Sequence, residues 1–381
     1  MIRRIKARNY RCFPDLDLPV RDFQILVGPN GSGKSSLFGA IRFLGTFIQS
    51  GLAAAVTETT SNGLDLKWLQ QAGPFQLSVD IGAIPSMSDQ ASASYAVECN
   101  VSSSGQVTIV RESVEMFAAE DDSRNLVTRT SDGTARYGAG ESDGAALTQL
   151  LNPDESALFR LPREVLGPAL LWIRHVLAVG LFAVQLESSI LRSASSPVRR
   201  WSNTLTGSEL PWDVRDLCER DPQGFRAWQA HLKMFLPHIR EIRTSIREDD
   251  RHAYVRAEEE SGISVPAWTL SDGTLRLLAL TNLAYGTTKG KLYLIEEPEN
   301  GLHPGALEAV YQSLRSVYGG QVLVTTHSPV LISIAEPEDL LCFSRAESGA
   351  VTVIPGDQHP ILRNWKRSVS LGELFAAGVL Q

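Results

Sequence analysis

The sequence predicts an α/β fold in which a sheet with parallel strands carries two additions, an antiparallel β subdomain and a helical accessory lobe. Three observations predict it. Near the amino end, the apolar strand FQILV runs into a glycine-rich loop and then into LFGAIRFLGTFI, whose apolar spacing is helical. In the last third, KLYLI, GALEAVYQSLRSVY, QVLVTT and PVLISIA alternate strand with helix, as parallel strands joined by crossovers do. Between these ends lie strand-like islands in a Ser-, Gly-, Asp- and Ala-rich stretch, and then a region of helical spacing. With 381 residues and 43% hydrophobic content, the chain can bury a large core, as one elaborated domain or two ordinary ones.

Taken in order, MIRRIKARNYR reads as a strand of the main sheet with an exposed basic side, a candidate DNA-facing surface, and no apolar run of signal-peptide type follows it. The islands FQLSVDI, YAVECNV and QVTIVRESVEMF predict an antiparallel sheet with surface connections such as AEDDSRN and TSDGTARYGAGESDGAA. The apolar stretch ALLWIRHVLAVGLFAVQL is interrupted by Arg174 and His175 and divided by Gly180, so it reads as a buried helix followed by a strand, with no membrane span. From about 155 to 262 helical spacing dominates, as in Phe225, Trp228, Leu232, Phe235 and Ile239, without heptads or an internal repeat. Three parts are therefore expected: 1–150 with the glycine loop and the antiparallel subdomain, a helical lobe over 151–262, and the second half of the core over 263–381.

The formal charge of −7 excludes a bulk electrostatic footprint for nucleic acid, so contact with DNA must come from a local patch or a partner. One such patch is SSILRSASSPVRRW, where Arg192, Arg199 and Arg200 lie beside Trp201; such a stretch is more often a solvated connection. Cys12, Cys99, Cys218 and Cys342 have no metal-ligand spacing and are expected to be reduced thiols of a cytoplasmic protein.

Three motifs carry chemistry. Gly28-Pro29-Asn30-Gly31-Ser32-Gly33-Lys34-Ser35 satisfies G-x-x-x-x-G-K-S between a strand and a helix, the P-loop or Walker A pattern. Its backbone N–H groups can curl around phosphate oxygens, Lys34 can neutralise the outer phosphates, and Ser35 can offer a hydroxyl to Mg²⁺. The ATP-binding set is Asn30, Gly31, Ser32, Gly33, Lys34, Ser35 and Ser36. KLYLIEEP is an apolar strand ending in Glu296 and Glu297, and at a strand tip the second acid can swing toward the ligand crevice. One acid can then hold a metal's water shell while the other polarises an attacking water. QVLVTTHSP ends another strand in His327, a possible donor to a terminal phosphate.

The tetrapeptide SDGT occurs twice. At Ser131–Thr134 it continues into ARYGAGESDG, where glycines oppose a helix, so it reads as a surface turn. At Ser271–Thr274 it precedes LRLLALTNLAY, which makes Ser271 a helix N-cap and leaves the first N–H groups unobstructed at Gly273.

Walker A, then LSDGT, then EEPENGLHP, then TTHSP, in that order, resemble the ATP-binding-cassette (ABC) ATPases of the SMC, RecF and OLD-like group. More narrowly the chain is similar to stand-alone ATPases of the AAA15/21-like kind, many of them in bacterial defence loci. The specific resemblance covers the first 50 residues and about 262 to 381. It implies a P-loop NTPase head that binds ATP and Mg²⁺ and forms a homodimer around two nucleotides. Ser271, Asp272 and Gly273 are then a signature that meets the nucleotide held by the partner's Lys34. Glu296 is the metal-side acid alongside Ser35, Glu297 the catalytic base and His327 the switch histidine. The Asp272 and Glu296 variants and the absence of a membrane-coupling element disfavour a transporter. The 234 residues between Ser35 and Leu270 lack heptads, so no long coiled-coil arm is expected. Only 54 residues follow His327, too few for a Toprim nuclease domain, so any nuclease is expected on another chain. Gln70, Gln71, Gln76 and Gln185 remain candidates for the metal-contacting glutamine. Two other readings stand beside the defence switch: a RecF- or SMC-like DNA clamp, and an ATP-binding scaffold with negligible hydrolysis.

Overall fold

The computed structural model describes all residues except 89–90, 118–122, 139–146, 163–166, 199–201, 366–368 and 381. Strands β1 (Ile2–Tyr10), β2 (Phe13–Pro19) and β3 (Phe23–Val27) lead into α1 (Lys34–Ser50) and α2 (Leu52–Thr59). Next come β4 (Phe75–Gly82), β5 (Ser92–Val101), β6 (Val107–Phe117), β7 (Ser123–Thr130), β8 (Thr134–Tyr137) and β9 (Leu147–Leu150). Helix α3 (Pro168–Arg174) and a π-helical turn precede β10 (Leu181–Val184), α4 (Ser188–Leu191), β11 (Thr204–Leu205), α5 (Leu210–Arg220) and α6 (Pro222–Phe235). Strands β12 (Ile239–Ile246), β13 (Ala253–Glu259) and β14 (Ser264–Pro266) precede α7 (Asp272–Asn282). The chain continues through β15 (Leu292–Glu296), α8 (Leu307–Arg315), β16 (Gln321–Thr325), α9 (Pro329–Ile334), β17 (Leu340–Arg345), β18 (Val351–Pro355) and α10 (Leu371–Ala376).

The core sheet has the order β11-β10-β15-β16-β3-β17-β18, parallel except for the β17–β18 pair. Its strands are nearly continuous apolar runs because both faces are covered. Leu26, Leu292, Leu294 and Leu323 point into the core shared with α1 and the antiparallel sheet. Their neighbours Ile25, Tyr293, Ile295, Val322 and Val324 point into the core beneath α5 to α9. The period of two thus assigns each residue to a layer. The second sheet, β2-β1-β4-β5-β6-β7-β8-β9, is antiparallel throughout. Gln321, fully buried, joins the two sheets. Its Nε2 donates to the carbonyls of Ile2 (2.9 Å) and Arg21 (2.8 Å), and its Oε1 accepts from the Ile2 N–H at 3.1 Å.

Two expectations are corrected. β1 belongs to the antiparallel sheet, and its basic residues are paired: Arg3 with Asp22, Arg4 with Asp17, Lys6 with Asp80 and Arg8 with Asp15. Acids on β2 and β4, with Asp22 ahead of β3, therefore offset the basic face. The segment 151–262 is less helical than its spacing predicts. Helix α6 ends at Phe235 ahead of Pro237, and Ile239, which continues the helical spacing, begins β12. β10 and β11 from the same segment complete the edge of the core sheet. Among the described residues no helix is long and apolar enough to cross a membrane.

Candidate functional site

Because β15, β16 and β3 are neighbours in one parallel sheet, their carboxyl ends share one edge. That edge is where ligands meet an open α/β sheet. The loop after β3 turns through left-handed glycines at Gly31 and Gly33, and Gly33 sits immediately before α1 at φ +95°. A side chain there would be strained and would lie 2.8 Å from Cys12 Sγ. Lys34 is 7% exposed, and its Nζ donates to the carbonyls of Gly28 (2.8 Å) and Pro29 (2.9 Å). Burial pushes its pKa below the usual lysine value, and the Glu297 carboxylate opposes that shift. Ser32 Oγ is buried without a hydrogen-bond partner. Asn30, Gly31 and Ser35 are exposed, while Ser36 is half-buried.

Glu296 ends β15 level with Thr325 and is exposed. Glu297 has left the ladder. It lies at φ +46°, unusual for a residue with a side chain, and its N–H donates to the Thr325 carbonyl at 2.9 Å. The turn brings its Oε1 to 4.0 Å from His327 Nε2, while Oε2 accepts from Asn300 Nδ2 at 2.8 Å. The structure therefore gathers Lys34, Glu297 and His327, the first two coupled through space. Ser35 and Glu296 are hard oxygen donors of the kind Mg²⁺ takes together with phosphates and water. Among the described residues no group of three or more His, Cys, Asp or Glu forms a self-sufficient metal cage. This donor set fits a metal that arrives with its nucleotide.

Sequence reasoning passed over Glu299. Its Oε1 accepts from Thr326 Oγ1 (2.7 Å), the His327 N–H (2.9 Å) and the Ser328 N–H (3.1 Å), so it holds the backbone that presents His327. Its place three residues after Glu296 was the available signal. Of the four glutamines, Gln185 directly follows β10, where Val184 pairs with Ile295, and so stands level with Glu296. Gln76 lies on β4 in the other sheet, and Gln70 and Gln71 lie in the turn before it.

Ser271 N-caps α7, its Oγ accepting from the Thr274 N–H at 3.1 Å. A Cβ on Gly273 would stand 2.9 Å from the Gly301 carbonyl, so the loop after Glu297 packs directly on this helix start. Asp272 accepts from Arg192 Nε (2.9 Å) and Nη2 (2.5 Å), and that guanidinium holds its carboxyl below the usual range. Arg192 also reaches the Trp268 carbonyl, so it is committed to the start of α7, whereas Arg199, Arg200 and Trp201 lie outside the described residues. Among the described residues no hydrogen bond or ion pair joins Ser271, Asp272 or Gly273 to the P-loop of the same chain. The other SDGT forms the β7–β8 hairpin, where Asp132 accepts from Thr130 Oγ1 (2.6 Å) and the Thr134 N–H (3.0 Å).

A sheet of this topology, with a P-loop before α1 and two acids at the tip of β15, one strand removed from β3, is the P-loop fold of ABC- and SMC-type ATPase heads. Residues 23–333 match the family described as "AAA domain, putative AbiEii toxin, Type IV TA system", and the chain belongs to that family. A 41-residue stretch, 11% of this chain, is 44% identical to an OLD nuclease of Thermus scotoductus, but it spans only 8% of that protein. The fold is similar to an SMC head bound to the C-terminal winged-helix domain of ScpA (TM-score 0.58, 14% identity, covering 93% of this chain and 96% of that one). It is also similar to a Pyrococcus furiosus SMC head with an extended coiled coil bound to the C-terminal domain of ScpA (TM-score 0.52, 12% identity, covering 100% and 98%).

Proposed function

We propose that this chain binds ATP with Mg²⁺ at the P-loop and hydrolyses it. In this reading two copies close around two nucleotides, and closure switches a separate effector protein. The observation that carries it is the convergence of Lys34, Glu297 and His327 at the carboxyl ends of three adjacent parallel strands. Lys34 exchanges the Gly28 and Pro29 carbonyls for β and γ phosphate oxygens, aided by the loop N–H groups. Ser35 and Glu296 would hold Mg²⁺, which when bound draws charge from those oxygens. Glu297 accepts the proton of the attacking water, and His327 donates toward the γ-phosphate. Gln185 meets the same edge from β10.

The signature of a second copy completes each site. The Ser271 oxygen accepts from the Thr274 N–H and lies 2.9 Å from Thr274 Oγ1, a hydroxyl pair in which either can donate; with Thr274 as the donor the Ser271 proton turns to a phosphate, and the α7 N-terminus adds its dipole. A carboxylate beside phosphate would repel it, and Arg192 offsets that charge at Asp272. The toxin–antitoxin wording of the family description and the OLD nuclease match support a cytoplasmic role in defence against foreign DNA, with a Toprim-like or other nuclease as the effector.

Calorimetry tests the binding claim: Lys34→Ala should lose ATP affinity while the fold survives, and unchanged affinity would sink the assignment. Glu297→Gln keeps shape but cannot take a proton, so phosphate release should fall by ~10² or more while ATP stays bound. Full turnover in that variant would remove Glu297 from the chemistry. DNA-stimulated turnover by the protein alone would point instead to a clamp that grips DNA directly.

A further inference from the structure

Strand β17 flanks the P-loop on the side away from β16. It pairs with β3 up to Cys342, level with Val27, and then runs on beside the glycine loop, where a Cβ on Gly28 would stand 2.5 Å from the Phe343 carbonyl. The chain turns at 346–350, the Gly349 N–H donating to the Ala346 carbonyl at 2.8 Å, and returns as β18. A Cβ on Gly33 would lie 3.2 Å from Val351 Cγ2, so both strands of this hairpin back the loop. Arg345, the last residue of β17, is thereby brought onto the loop itself. Its Nη1 lies 3.4 Å from the Gly31 carbonyl and would lie 3.6 Å from a Cβ on Gly31.

That contact is long for an N–H···O bond. Arg345 is exposed, and among the described residues its guanidinium meets no carboxylate, while Nε and Nη2 meet no acceptor. A fork of donors beside a phosphate-binding loop, with its charge unpaired, suits an anion. The strand order β15-β16-β3-β17 gives the direction. Glu297 and His327, on the β15 and β16 side, mark the γ-phosphate end, so the inner phosphates lead away from them, toward β17. We infer that Arg345 is a second cation of the nucleotide site, supplied by the same copy as Lys34, and that it binds the phosphates ADP and ATP share. The inference rests on the ATP reading above and adds a residue to it.

ADP and the non-hydrolysable analogue AMP-PNP, each with Mg²⁺, are titrated calorimetrically into the full chain and into Arg345→Gln and Arg345→Lys. Gln keeps a donor for the Gly31 carbonyl but no charge, whereas Lys keeps the charge without the fork. Both variants should melt with the wild type, since the side chain is exposed. Arg345→Gln should weaken both nucleotides by the same factor, ~10-fold, and its ADP affinity should depend less steeply on salt than that of the wild type. Arg345→Lys should lose less. Undiminished affinity in Arg345→Gln would make Arg345 only a prop for the loop and overturn the inference, as would equal losses in the two variants or a loss confined to AMP-PNP; all three leave the ATP reading standing. Failure of the wild-type chain to bind either nucleotide would overturn both.

Discussion

Glu299→Ala removes the acceptor of three hydrogen bonds at once. Thr326 Oγ1, the His327 N–H and the Ser328 N–H lie 2.7, 2.9 and 3.1 Å from the same oxygen. A bond to an ionised acceptor contributes ~1.5–3 kcal/mol, but at this half-buried position water recovers part of each, so a net loss of about 2–4 kcal/mol is expected. Glu299→Gln keeps an acceptor of the same reach without the charge. It also places an NH₂ where Oε2 is buried and meets no donor, so its loss should be intermediate. With the backbone at 326–328 released, His327 is no longer presented to Glu297, and turnover should fall by ~10- to 10²-fold in the Ala variant. Urea unfolding measures the first quantity and phosphate release the second, with ATP affinity expected to change little. A cost below about 1 kcal/mol together with normal turnover would show that His327 is positioned by something else.

Two further outcomes concern the frame. Gln321→Leu leaves the Ile2 N–H and the Ile2 and Arg21 carbonyls without their partner at the joint of the two sheets, so calorimetric unfolding should show a loss of about 3 kcal/mol; no loss would mean the sheets are joined by apolar packing alone. Glu112 is fully buried, accepting from Tyr95 Oη, Ser156 Oγ and the Ala157 N–H, and burial raises its carboxyl pKa above the ordinary range despite these bonds. Between its unfolded and folded pKa values the native state binds more protons, so stability should fall as pH rises through that window and then level off. Glu112→Gln should flatten that slope in urea titrations repeated across acid to neutral pH, and an unchanged slope would assign it to other groups.

Legibility followed the range of the interactions. The P-loop, its flanking strand and helix, and the β15 and β16 strands were readable because each depends on residues close in sequence. The two SDGT copies could be told apart because a capped helix needs a helical continuation and a hairpin needs its glycine. What pairs with β1 is a long-range matter: alternation of basic and apolar residues predicts a half-buried strand but does not choose its sheet. Ile239 kept a helical spacing that Pro237 had already ended. Glu299 and Arg192 declare themselves only through partners 27 to 29 and 80 positions away. That Gln185, of the four glutamines, stands at the edge of the core sheet level with Glu296 depends on the long-range pairing of β10 with β15.

The central claim is that each working site is built from two copies, and mixing two dead variants tests it most directly. Lys34→Ala lacks the phosphate cation, and Ser271→Arg blocks the start of α7. Each should be inactive alone. In a mixed dimer one site carries both changes and the other carries neither, so the mixture should regain ATP hydrolysis, or ATP-dependent association if turnover needs both sites. Ser131→Arg, in the β7–β8 turn, should remain near wild type in the same assay. Recovery of neither turnover nor association in the mixture, or loss of activity in Ser131→Arg, would contradict the composite site.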